Sequence, residues 1–249
     1  AVLTDAAWMT VKDSAGVKLE LNGTAITATS VTRVDNTVVV RYVSPSLIAS
    51  GSRHTLKATY TTAAGQELTE TVGFTASKYE TLSAELATAV GTGTEAGMNW
   101  RTHQLAAARP GGTVLAAAEL QLSGSTGASE HDAAGEVGGV FKIDYVNFDQ
   151  ASAEAGNFKA SGLGELAVND EGVPGIPGTT GSTDNFAQEV LTVLDLKAGF
   201  YAFNVNSDDG FRLDIGNPGE AFTFPVVVGE FSGGRVNGGG VGSGTTFFF

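Results

Sequence analysis

Apolar and polar residues alternate along the first 77 positions. "VKLELNG" sets Val17, Leu19 and Leu21 against polar neighbours and breaks at Asn22-Gly23, a favoured two-residue hairpin turn. "NTVVVRYVS", "RHTLKATYTT" and "ELTETVGFTAS" continue the period of two, separated by "SPSLIASGS" and "AAGQ". Each run has the length and β-branched content of a half-buried strand. Asn22-Gly23-Thr24 also spells a glycosylation sequon, but the turn accounts for Asn-Gly without it.

The pattern then changes. "KYETLSAELATAV" spaces Leu82, Leu86 and Val90 at i, i+4 and i+8, which predicts a short amphipathic helix or a docked linker, and "GTGTEAG" reads as a flexible break. A domain boundary is therefore expected here, with residues 1–78 as a small immunoglobulin-like β-sandwich, 79–97 as linker and 98–249 as a second, larger domain. In that domain "VLAAAELQL" predicts a short helix and "VFKIDYVNFD" a strand. Residues 155–184 form a long loop rich in Gly and Pro, of the kind that is either functional or disordered. "QEVLTVLDLKAGFYAFNVNS", "FRLDIG" and "AFTFPVVVGEF" are strand-like again, "SGGRVNGGGVGSG" reads as a mobile surface loop, and the closing "TTFFF" looks like part of a strand. No repeat of solenoid or propeller length is visible.

Composition narrows the class. With 34 Gly, few Lys and many Thr, Val and Ala, the chain suits short strands joined by glycine turns, and an all-β fold is expected. Acids outnumber bases 27 to 14, a net charge of −13, which disfavours nucleic acid and anionic membrane as partners. There is no Cys, hence no thiol nucleophile and no thiolate metal site. No apolar run reaches the length of a membrane span, and no basic-then-apolar leader opens the chain. Opening on Ala1 rather than Met, the sequence reads as a mature or excised piece.

Catalytic motifs are missing. His54, His103 and His131 lack a second histidine at ligand spacing and read as surface or packing residues. G-x-S-x-G, the P-loop and a helix-opening G-x-G-x-x-G are all absent. Paired carboxylates could serve glycoside hydrolysis, but sequence neighbours such as Asp208 and Asp209 ordinarily point to opposite sides of a strand. A non-enzymatic role is expected.

The most informative stretch is "SDDGFRLDIG", flanked by Tyr201, Phe203 and Val205 on one side and Phe211, Leu213 and Ile215 on the other. Asp209-Gly210 between alternating runs is a strong hairpin signal, and Ser207 with Asp208 can bond turn amides. A hairpin does not need the second acid, nor Asn204 and Asn206 just before it. A hard cation such as Ca²⁺, which takes six to eight oxygen ligands, would relieve the repulsion between the acids. Both readings, acidic turn and metal site, stay open on the residues alone.

The longer stretch "LDLKAGFYAFNVNSDDGFRLDIG" resembles the protective-antigen-like β-sandwich domain of flocculin-type adhesins, some glycosidases and toxin components, with Gly199, Tyr201, Phe203, Val205, Ser207, Asp208, Asp209, Gly210, Arg212 and Leu213 in its pattern. "FPVVVGEFSGGR" and "PGIPGTTGSTDNFAQE" look like the variant in large secreted bacterial proteins, where an immunoglobulin-like module often precedes it. The resemblance implies Asp208 and Asp209 as Ca²⁺ ligands joined by a cis peptide, with the ion meeting sugar hydroxyls, and Asn206, Arg212 and Asn237 as further ligand-binding residues. It implies a secreted or cell-surface adhesion module whose partner is a glycan or cell-surface polysaccharide. Here "IGNPGE" departs from the family pattern after the second strand, and "TTFFF" stops short of the family's returning strand. An incomplete sandwich would favour a homo-polymer, a fibre or surface-layer subunit joined by strand exchange or edge pairing. An appendage of a catalytic domain elsewhere is a third expectation.

Overall fold

The structure is a computed structural model and describes residues 2–4, 16–34, 37–62, 64–87, 95–107, 112–150, 171–216, 226–235 and 244–249. The described residues are mostly strand with a single α-helix, so the protein is all-β. It divides into two compact units, Ala1–Glu80 and Thr81–Phe249.

The first unit contains β1 (Val2–Thr4), β2 (Val17–Leu21), β3 (Thr24–Ile26), β4 (Ser30–Val34), β5 (Thr37–Arg41), β6 (Arg53–Thr61) and β7 (Glu67–Thr75). They form two antiparallel sheets, ordered β1-β5-β4 and β3-β2-β6-β7. The period of two puts Leu19 of β2 and Ala58 of β6 on one inner face, where they meet Val38 and Val40 of β5. This is sandwich packing, each sheet burying one face against the other. Asn22 and Gly23 have φ of 52° and 79°, the left-handed pair that a tight hairpin turn requires, and Leu21 pairs with Thr24 across it. The Asn22 amide is also used across the sheet: its Oδ1 accepts from the Thr55 N–H at 2.9 Å, and its Nδ2 lies 2.9 Å from His54 Nδ1.

Between the strand-rich regions, the described residues of the expected helix form one 3-10 turn, Ala84–Leu86, whose start is capped by Ser83 Oγ accepting from the Glu85 N–H at 3.2 Å. Leu82 packs against the second unit's aromatic core, so this part of the expected linker is docked. Val90 lies outside the described residues.

The second unit contains β8 (Met98–Gln104), α1 (Leu115–Leu122), β9 (Phe141–Ile143), β10 (Phe148–Asp149), β11 (Glu171–Gly172), β12 (Phe186–Leu191), β13 (Ala202–Val205), β14 (Phe211–Ile215), β15 (Val226–Phe231) and β16 (Thr245–Phe248). One sheet runs β12-β8-β9; β13-β16 and β14-β15 are separate antiparallel ribbons; β10 and β11 form a short parallel pair. The single strand expected over "VFKIDYVNFD" is thus broken into β9 and β10. The described part of the Gly/Pro-rich loop is packed rather than loose. Val173 and Ile176 are buried with Trp100 and Phe141, and the Ile176–Pro177 peptide is cis.

Two fully buried amides tie this unit together. Gln104 Nε2 donates to the carbonyls of Ser182 and Asp184, holding that loop against β8. Gln121 Nε2 donates to those of His103 and Asn185, fastening α1 to the sheet. Buried amides persist where such partners exist.

The two ribbons meet through aromatic side chains. Phe247 of β16 stacks on Phe203 of its own ribbon, centroids 6.1 Å apart, and on Phe211 of the other ribbon at 6.2 Å. A Cβ at Gly229 of β15 would lie 2.5 Å from the Phe247 ring, so only glycine admits this approach. Gly229→Ala is expected to destabilise the protein by about 1–3 kcal/mol, the usual cost of overpacking. Denaturant unfolding measures this, and an unchanged midpoint would contradict the close contact.

Candidate functional site

The hairpin expected at Asp208-Asp209-Gly210 does not form. β13 pairs with β16 (Ala202↔Phe248 to Val205↔Thr245), and β14 pairs with β15, beginning at Phe211↔Phe231. The acidic turn is a corner that carries the chain from one ribbon to the other. The physical reason lies in the apolar faces: Phe203 and Val205 before the turn and Phe211, Leu213 and Ile215 after it all pack on the same aromatic core. Alternation specifies which face is buried but leaves the hydrogen-bonding partner open. Gly210 permits the corner, since a Cβ there would lie 2.6 Å from the Phe231 carbonyl oxygen.

The Asp208–Asp209 peptide is cis. Asp208 is exposed and Asp209 half-buried, and the two carboxyls are close enough for the charge of Asp209 and a hydrogen bond with it to act on Asp208. Desolvation, then the charge of Asp209, then that hydrogen bond hold the Asp208 carboxyl above its ordinary range. The two carboxyls lie close together.

Arg235 braces this corner from the loop after β15. Its Nε donates to the Ser207 carbonyl at 2.9 Å, and its Nη2 donates to Ser207 Oγ at 2.8 Å and to the Val205 carbonyl at 3.2 Å. Nη1 reaches Thr245 Oγ1 of β16 at 2.8 Å. The Ser207 hydroxyl, in turn, donates to the Asp209 carbonyl at 2.8 Å. The Arg235 backbone N–H donates to Asp209 Oδ1 at 3.3 Å. The guanidinium lies over the rings of Phe231 and Phe211, 4.6 and 5.4 Å from their centroids. Thr113 borders the same corner: a Cβ on Gly234 would lie 3.2 Å from Thr113 Oγ1 and 3.5 Å from Asp209 Oδ1. The Leu115 N–H at the start of α1 donates to Ser232 Oγ at 3.4 Å, which ties the helix to the same loop.

Of the residues picked out in the sequence, Asp208 and Asp209 come together, and Asn206 lies half-buried between β13 and the corner. Arg212 is directed elsewhere: its Nε donates to Asp214 Oδ2 at 2.9 Å and its Nη1 pairs with Glu119 of α1. The Asp214 hydrogen bond is the main reason its guanidinium is held above its ordinary value. Asn237 lies outside the described residues. Arg235 and Thr113 were missed. The available signal for Arg235 is its place as the single cation in "SGGRVNGGGVGSG".

Among the described residues no three His, Cys, Asp or Glu side chains converge. The acidic corner offers hard oxygen donors of the kind Ca²⁺ prefers, though fewer than the six to eight it takes. The Val205 and Ser207 carbonyls already accept from Arg235. Histidine chemistry has no comparable centre. His131 sits between Ser129 Oγ at 2.5 Å and Glu136 Oε1 at 2.8 Å, while Ser129 Oγ also accepts from the Gln104 N–H, closing residues 129–136 onto β8. His103 is held below its ordinary value chiefly by burial.

Because Asp208 binds its proton more tightly in the folded chain than in the unfolded one, its ionisation opposes folding. That contribution is fully favourable below the ordinary value of 3.8 and is lost as pH rises through the higher folded value. At pH 7 without divalent ions, Asp208→Asn is expected to raise thermal stability by at most about 1 kcal/mol after solvent screening. The gain over the parent should disappear below about pH 4. Thermal unfolding at the two pH values tests this, and a variant less stable at pH 7 would contradict it.

No family model, curated protein or solved structure matches the chain. The resemblance noted above therefore rests on the residues of 194–216 and their flanks.

Proposed function

We propose that the protein is a secreted, non-enzymatic adhesion module that binds glycans through Ca²⁺ held at Asp208 and Asp209. On this reading an immunoglobulin-like unit is followed by a protective-antigen-like one. The observation that carries the proposal is the convergence of two adjacent carboxyls at an exposed corner, with Asp208 held above its ordinary range beside Asp209. A divalent cation between them removes the repulsion that the metal-free corner sustains. When bound, Ca²⁺ supplies open positions that sugar hydroxyls can fill. The chain's part is to hold the two carboxylates together, exposed on one side and backed by Arg235 on the other. The acidic surface suits a neutral polysaccharide better than an anionic one.

Calorimetry should show Ca²⁺ binding that is lost in Asp208→Ala and Asp209→Ala, and glycan-array binding should disappear in the variants and in excess chelator. Glycan binding that persists with chelator would remove the mechanism.

A second reading, a fibre or surface-layer subunit, has its own observation. β7 is nine residues long, pairs only with β6 among the described residues, and leaves Val72 and Phe74 exposed at 55% and 38%. Such an edge can accept another strand. Negative-stain electron microscopy separates the readings: regular filaments support the subunit, and dispersed particles at high concentration count against it.

A further inference from the structure

Arg235 braces the corner that carries Asp208 and Asp209 yet makes no ion pair with either among the described residues; its guanidinium bonds to the neutral oxygens of Val205, Ser207 and Thr245. Only its backbone N–H touches Asp209. An arginine within reach of a carboxylate commonly takes it in a two-pronged grip. Here the two rings beneath the guanidinium and four oxygen contacts hold the charge in place without pairing it to the acids.

We propose that Arg235 is the positioning residue of the acidic corner: it fixes Ser207 and the Asp209 backbone so that the two carboxylates stay together and unpaired with its guanidinium. The inference rests on reading that corner as a cation site. Three consequences follow from the contacts. The strand end at Val205 and the turn at Ser207 are clamped to β16 through Thr245, which restrains the backbone leading into the two acids. The Ser207 hydroxyl, accepting from Arg235 and donating to the Asp209 carbonyl, passes that constraint to the second acid. Finally, the Val205 and Ser207 carbonyls already accept from the guanidinium, which disfavours them as ligands of a Ca²⁺ at the carboxylates. This is how a corner can hold an ion and still leave it open to a hydroxyl ligand. Lysine cannot substitute, because one ammonium does not span these acceptors in a plane.

The test uses the full chain with Arg235→Lys and Arg235→Ala, titrated with Ca²⁺ alone by calorimetry well below each variant's unfolding temperature. Both variants are expected to lose about 10- to 100-fold in Ca²⁺ affinity, the usual effect of removing a partner that orients a ligand. A merely structural brace would lower the unfolding temperature while leaving the affinity of the folded protein unchanged, and that result overturns the proposal. If the parent protein itself binds no Ca²⁺, the cation reading fails, and amide exchange of residues 205–210 in metal-free protein decides on Arg235. Faster exchange in both variants, with β6 amides unchanged as reference, supports positioning; equal exchange overturns it.

Discussion

The aromatic layer between β13-β16 and β14-β15 is the contact on which the second unit's proposed site depends. The two ribbons are separate sheets, so their relation is set by side chains: Phe247 stacked on Phe203 and Phe211, and Val228 and Phe249 buried beside them. Burying side chains of this size contributes about 1.5–3 kcal/mol each, with roughly 0.5–1.5 kcal/mol more for a well-placed aromatic pair. These contacts are strong but have little directional precision. Fine placement at the corner comes instead from hydrogen bonds, and Arg235 supplies most of those that reach it.

The acidic turn takes its character from being a corner. In a hairpin, the strands on either side would share a ladder and fix the turn from both arms. Here the arms belong to different ribbons, and the turn is held from outside by Arg235, by Thr113 beside Gly234 and by the anchoring of α1 to Ser232. That leaves one side of the turn exposed and the other backed by a half-buried cation. Such an arrangement keeps like charges together where an unbraced loop would let them separate.

Elements that depend on local pattern were legible in the sequence. The strands of the first unit follow from the alternation around Leu19, Val38 and Ala58, the hairpin from Asn22-Gly23, and α1 from "VLAAAELQL". What depends on distant partners was not. The alternation in β13 and β14 identified strands without revealing that they pair with β16 and β15. The packed course of Val173 and Ile176 was hidden by surrounding Gly and Pro, because its partners Trp100 and Phe141 lie far away in sequence. At the site, the two acids stood out by adjacency, whereas Arg235 was masked by its glycine-rich neighbours. Arg212 drew attention by lying next to the turn, although Asp214 and Glu119 claim it.

The fit of Phe247 over Gly229 also constrains how this architecture can diversify. One ribbon provides the ring and the other provides the absence of a side chain, so neither position can change volume alone. In related chains, a larger residue at the equivalent of 229 should accompany a smaller one at the equivalent of 247. The pair would drift as a compensating couple across two strands that share no ladder, and such covariation would mark the architecture even where the acidic corner had been lost.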